Sequence, residues 1–122
     1  MRIAGYAAVF DRADRAGDLF RPGAFAGMGA VPLLMQHRGA PVGVLTAIGE
    51  DARGLRVEAR VDDAEVARLV RCRALPGLSV GYRARAVRQG AWRAILRADL
   101  IEVSLVAVPM QAAARVDAIH EI

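Results

Sequence analysis

Pro76-Gly77-Leu78-Ser79-Val80-Gly81-Tyr82 is the stretch on which the fold turns. Its centre spells Gly-x-Ser-x-Gly, the pattern of a nucleophile elbow, which requires a strand, a sharp turn and a helix on a large parallel sheet. Here a strand-like segment continues past Gly81, the helical pattern comes before the serine, and 122 residues are too few for such a sheet. The stretch therefore reads as one strand. Residues two apart on a strand share a face, so Gly77, Ser79 and Gly81 align, while Leu78, Val80 and Tyr82 point into a core. Two glycines beside a hydroxyl leave backbone open to an extended peptide, which marks Gly77 and Gly81 as candidate substrate-binding positions. The alternative is a strand whose glycines ease a bend.

Outward from this strand, short apolar segments alternate with Gly, Pro and Asp, the pattern of strands and turns. Ile3 to Phe10 predicts a first strand, Pro22-Gly23-Ala24-Phe25 a turn or a single helical turn, and Val31 to Gln36 a short strand ending at His37. After a turn around Gly39 and Pro41, Val42–Ile48 and Gly54–Val61 read as a hairpin. One helix follows: Asp62 or Asp63 caps it, Val66, Leu69, Val70 and Arg73 recur at helical spacing, and Pro76-Gly77 ends it. Three strands complete the layout, Leu78–Val87, Trp92–Arg97 and Leu100–Val108, and the Ala-rich tail after Pro109 reads as a short helix or a frayed end. The expected fold class is α+β and β-rich: a small closed or strongly curled barrel with peripheral helices, in one domain over residues 1–122 with a core at about 3–116 and a tail at 110–122.

Composition narrows the function. Apolar residues form 55% of the chain and are spread throughout, which excludes wholesale disorder. No run approaches the roughly 20 apolar residues of a membrane span, and the N-terminus lacks a secretory pattern, so a cytoplasmic product is expected. All 17 basic residues are Arg, interleaved with 13 acids rather than clustered, a distribution that argues against a nucleic-acid-binding face. Cys72 is alone, which excludes an intrachain disulfide and a thiolate metal site, and reads as a small buried hydrophobe in the helix. Two histidines and one cysteine make no zinc set, and Asp14 and Asp18 have no cation-ligand spacing, so neither metal nor cofactor is expected.

Few hydroxyl nucleophiles exist: Ser79, Ser104 and Thr46. His37 lies where an apolar strand emerges into a turn, partly desolvated yet reachable; the plainer reading is a surface-turn histidine. Glu102 interrupts the apolar run Leu100-Ile101-Glu102-Val103-Ser104-Leu105-Val106 and shares a strand face with Ser104. A buried carboxylate is costly unless paired and hydrogen-bonded, so that face is either functional or the solvent side of an edge strand.

In chain order these segments resemble the prohead protease family of HK97-type phages. The resemblance rests on Gly5-Tyr6-Ala7-Ala8-Val9-Phe10, Asp18-Leu19-Phe20-Arg21-Pro22-Gly23-Ala24-Phe25, Val31-Pro32-Leu33-Leu34-Met35-Gln36-His37, Gly54-Leu55-Arg56-Val57, Leu78-Ser79-Val80-Gly81-Tyr82 and Leu100 to Pro109. It implies a barrel related in fold to herpesvirus capsid-maturation proteases. It implies a serine endopeptidase that enters the assembling prohead in the host cytoplasm and cleaves scaffold segments, capsid precursor and itself. It assigns His37 and Ser79 as the catalytic pair and Glu102 as third member, a role that herpesvirus relatives give to a second histidine. The implied partners are the major capsid protein, scaffold segments and further copies of the chain. Arg83 and Arg85 stand near enough in sequence to serve the oxyanion. The competing reading is a capsid-associated structural module of the same fold without proteolysis.

Overall fold

The computed structural model describes residues 1–121. Eight strands and one helix succeed one another as β1 (Arg2–Val9), β2 (Asp18–Phe20), β3 (Pro32–Met35), β4 (Arg38–Glu50), β5 (Gly54–Val61), α1 (Ala64–Arg71), β6 (Gly77–Arg88), β7 (Arg93–Val106) and β8 (Val116–His120). All strands belong to one sheet in the order β2-β7-β3-β4-β5-β1-β8, with β6 on the other edge of β7. The sheet curls until its ends meet: Gly77 at the start of β6 bridges to Arg115 just before β8, and Leu78 N–H donates to the Ala114 carbonyl. Inside the curl Phe25, Leu33, Leu55, Leu78, Ile95, Val103 and Leu105 are fully buried.

Most expected elements are present, and their limits have local causes. In α1 the cap is Asp63 rather than Asp62: its carboxylate accepts from Glu65 N–H and Val66 N–H, two donors that the first turn leaves free. Asp62 instead accepts from the Arg60 guanidinium. The helix buries Val66, Ala67 and Val70 and stops at Cys72, before Pro76. Cys72 is exposed, not buried as expected. Among the described residues α1 is the one helix, so the barrel has a single peripheral helix rather than several.

Two expectations fail for reasons of tertiary context. The segments 92–97 and 100–108 are one continuous strand, β7. The polar interval Arg97-Ala98-Asp99 that resembled a break is ordinary alternation: Arg97 and Asp99 are exposed, Ala98 is buried and donates its N–H to the Ala24 carbonyl. Register shifts at Gly81/Tyr82 and Ala84/Ala86 let the long β6–β7 ribbon curl. The tail is neither helical nor frayed at 116–120; it forms β8, antiparallel to β1. Helix propensity is a weak prior, and an uncovered β1 edge offers backbone partners that override it.

Asp18 ties β2 to the ribbon. Its carboxylate is buried, accepts two bonds from Arg93 on β7 at 2.8 and 2.9 Å, and a third from the Tyr82 hydroxyl on β6. Bonding to Arg93 holds its pKa below the ordinary 3.8, and Tyr82 supports the shift. A carboxylate whose pKa is lower folded than unfolded stabilises the fold fully above its unfolded value and loses that contribution as pH falls through the folded value. Wild-type protein is therefore expected to melt above Asp18→Asn at neutral pH, with the gap closing below about pH 3.8. Paired thermal melts from pH 2 to 7 check this; a gap independent of pH would refute it.

Candidate active site

Position in the barrel brings three distant segments together. Strands β6 and β7 pair antiparallel, with Ser79 opposite Ser104 and Gly81 opposite Glu102, and directly opposed residues project from the same face. Strand β3 runs parallel to β7 on the other side, Leu34 beside Ser104 and Met35 beside Leu105. The chain leaves β3 through a two-residue turn, Gln36-His37, into β4, with Met35 paired to Arg38. Ser79, Glu102 and His37 thus stand on three neighbouring stretches of sheet. The turn lies earlier than the sequence suggested, since Gly39 and Pro41 fall within β4.

The turn is strained and held. Gln36 and His37 have φ of 54° and 62°, the left-handed conformation that hairpin turns of this type demand and that Gly or Asn adopts far more readily. Strained residues of this sort persist only when their surroundings over-determine them, and they cluster at functional sites. Here β7 supplies the grip. Gln36 N–H donates to the Leu105 carbonyl, and Gln36 Oε1 accepts from Ala107 N–H at 2.9 Å. His37 N–H donates to Ser104 Oγ at 3.1 Å.

The imidazole completes a directed chain of hydrogen bonds. His37 Nδ1 lies 2.5 Å from Glu102 Oε1, and Ser104 Oγ–H donates to Glu102 Oε2 at 2.6 Å. Both carboxylate oxygens are engaged, which is the condition for burying such a group. The His37 side chain is 43% exposed and that of Glu102 only 9%. A shielded carboxylate accepting from Nδ1–H fixes the tautomer in which Nε2 is the basic nitrogen.

Both serines are buried, Ser79 at 7% exposure and Ser104 at 0%, and hydrogen bonding separates them. Ser104 is fully buried, and its hydroxyl both accepts from His37 N–H and donates to Glu102, so it helps hold His37 and is itself closed to solvent. The Ser79 hydroxyl joins none of the hydrogen bonds among the described residues, and Ser79 and His37 together wall two adjoining hollows. One is a cavity of about 120 Å³ framed by Phe20, Leu78, Val80, Tyr82 and Met110. The other is more open, beside Gln36, Arg38 and Val106. Ser79 and His37 share one opening, with His37 oriented by Glu102, and no hydrogen bond joins the two among the described residues; nucleophilic acyl transfer needs such a pair within reach, a contact often looser without substrate.

The glycines have a different part from the one expected. A Cβ on Gly81 would lie 2.3 Å from Glu102 Oε1, and one on Gly77 within 2.9 Å of the Pro109 ring. The space beside both is therefore filled, by the carboxylate and by Pro109, and Gly77 and Gly81 provide no open track for a substrate. Gly81 is there so that Glu102 can lie flat across the sheet. Gly81→Ala is expected to displace that carboxylate, costing roughly 1–3 kcal/mol of stability and most of the activity; denaturant unfolding and progress curves measure the two. A variant as stable and active as the parent would refute the packing role.

Arg83 and Arg85 are also elsewhere: both are exposed, and Arg85 is bound to Asp99. Sequence reasoning missed Ser104 as a positioning group, although its shared face with Glu102 was the available signal. It also missed Gln111, whose side chain accepts from Val9 N–H and donates to the Val9 and Arg12 carbonyls behind the cavity. A lone Gln in an Ala-rich tail carries no such signal. Among the described residues no cluster of His, Cys, Asp or Glu is arranged to hold a metal ion, and no helix is long and apolar enough to cross a membrane.

Comparison with known proteins bears on family and fold. The family model described as caudovirus prohead serine protease matches residues 1–122. No curated protein sequence matches the chain. Among solved structures, the chain is similar to the KSHV protease in complex with a hexapeptide phosphonate inhibitor, with a TM-score of 0.60 at 14% identity, covering 90% of this chain and 60% of that one. It is also similar to varicella-zoster virus protease, with a TM-score of 0.49 at 19% identity over 81% of this chain and 56% of that one. The first likeness shows a shared herpesvirus-protease-like fold. The chain spans only 60% of the length of that herpesvirus protease.

Proposed function

Because the chain belongs to the caudovirus prohead serine protease family, we propose that it is an active endopeptidase with Ser79 as nucleophile, His37 as base and Glu102 as positioning residue. The observation that carries this reading is the bond from His37 Nδ1 to the buried Glu102, which leaves Nε2 as the basic nitrogen at the opening that His37 shares with Ser79. His37 Nε2 takes the Ser79 proton as Oγ bonds to the scissile carbonyl carbon. The tetrahedral adduct collapses with cleavage of the C–N bond, and the leaving amine carries off the proton from His37. Water then attacks the acyl ester, passing its proton to His37, which returns it to Ser79 as the carboxylic product departs. Glu102 stabilises the imidazolium at both stages without taking the proton.

The substrates we assign are scaffold segments and capsid precursor, met inside the assembling prohead of a phage or phage-like particle, with self-cleavage and self-association as part of the same cycle. The test is co-expression with capsid precursor, together with fluorophosphonate treatment of the purified chain. Shortened precursor and a phosphonyl group mapped to Ser79 by mass spectrometry are expected. Intact precursor and an unlabelled Ser79 would point instead to a capsid-associated structural module.

A further inference from the structure

The cavity beside Ser79 has apolar walls and one unexplained charge. Phe20, Leu78, Val80 and Met110 form its sides, and Asp14 contributes a carboxylate. Nearly every other feature around it is accounted for. Asp18 is taken by Arg93 and Tyr82, and the Gln111 amide is spent on Val9 and Arg12. Asp14 Oδ1 accepts from Ala16 N–H and Asp18 N–H. Its other oxygen has no hydrogen bond, and no cation lies within ion-pair distance among the described residues. Asp11, Asp18, Asp62, Asp99 and Asp117 each hold an arginine, and Asp14 holds none among the described residues.

The loop carrying Asp14 is held by its neighbours. Asp14 N–H donates to the Asp18 carbonyl, Arg15 N–H to the Met110 carbonyl, and Gln111 holds the Arg12 carbonyl. A largely apolar cavity with an anion in its wall suits a side chain with an aliphatic stem and a cationic head. Its volume, about 120 Å³, is of the order of the roughly 150 Å³ cavity that accepts a benzene ring, so a lysine or arginine stem fits. Ser79 and both of its chain neighbours line the same space, and the side chain nearest an attacked carbonyl is the one on its own Cα.

We propose that this cavity receives the side chain of the residue whose carbonyl Ser79 attacks, and that Asp14 selects lysine or arginine there. The assignment rests on the reading of Ser79 as nucleophile. The charged groups facing the cavity are Asp14 and, at its mouth, His37, so a cationic head meets an unopposed anion while an acidic one is repelled.

Diphenyl phosphonates of a blocked peptide ending in lysine, leucine or glutamate analogues test it on the full chain, since each bonds to the serine Oγ with loss of phenol in proportion to fit. The lysine probe is expected to label Ser79 at least about tenfold faster than the leucine probe, with glutamate slowest. Asp14→Asn, which retains the Oδ1 acceptor for the loop, is expected to lower the lysine-to-leucine rate ratio by roughly 10- to 100-fold, the scale of a lost hydrogen bond to a charged group. A ratio near one in the parent, or one unchanged in Asp14→Asn, overturns the assignment while a small fluorophosphonate still labels Ser79. Failure of that small probe as well removes Ser79 as nucleophile, and the pocket assignment with it.

Discussion

Ser79→Ala is expected to abolish fluorophosphonate labelling and to lower the rate of precursor cleavage by about 10⁴- to 10⁶-fold, the scale seen when a serine nucleophile or its base is removed. His37→Ala should do the same, and the double variant should be no worse than either single one, because the two groups act as a unit. Stability should hardly change in Ser79→Ala, since the hydroxyl makes no hydrogen bond and the methylene remains. Ser104→Ala is the discriminating control. It removes a buried hydroxyl that accepts from His37 N–H and donates to Glu102, so it should slow cleavage yet leave Ser79 as the labelled residue. Cleavage that survives in Ser79→Ala, or a label mapped to Ser104, would overturn the mechanism. Intact-mass and peptide mapping on the four variants decide between these results.

Glu102→Gln is expected to lower kcat by about 10²- to 10⁴-fold with little change in KM, as for other triads in which the carboxylate becomes an amide. The negative charge that offsets the imidazolium is lost, and an amide N–H turned toward His37 Nδ1 would favour the wrong tautomer. Since Glu102 Oε2 also accepts from Ser104, the substitution disturbs both ends of the chain of bonds that holds the base. A structural role alone would lower the melting temperature without separating kcat from KM, so steady-state kinetics beside thermal melts distinguish the two. Proton NMR adds a direct readout, as the His37 Nδ1–H resonance should move upfield when its acceptor is no longer charged. A kcat within about threefold of the parent would show that Glu102 does not position the base.

Much of this molecule is written in short-range pattern. Alternation of apolar residues marked strands β1, β5 and β6 within a residue or two at most ends, because a half-buried strand must alternate. The Asp62-Asp63 pair and the apolar spacing after it marked α1, because free N–H groups need an acceptor next in line. His37, Ser79 and Glu102 were legible as exceptions: a base at a strand end, a hydroxyl between glycines and a charge inside an apolar run.

Amino-acid order alone thus determined the β-rich class and the helix before Pro76, and it singled out His37, Ser79 and Glu102 as candidates. Only the tertiary structure decided that Arg97-Ala98-Asp99 continues β7, that the tail pairs with β1, and that Gly81 makes room for Glu102 rather than for substrate. It also decided that Ser104 bonds to His37 and Glu102 while Ser79 lines the cavity, and it placed Asp14 in the same cavity wall. The physical reason is distance along the chain: each of these outcomes depends on which backbone edge or side chain arrives from dozens of residues away, and no local period encodes that arrival.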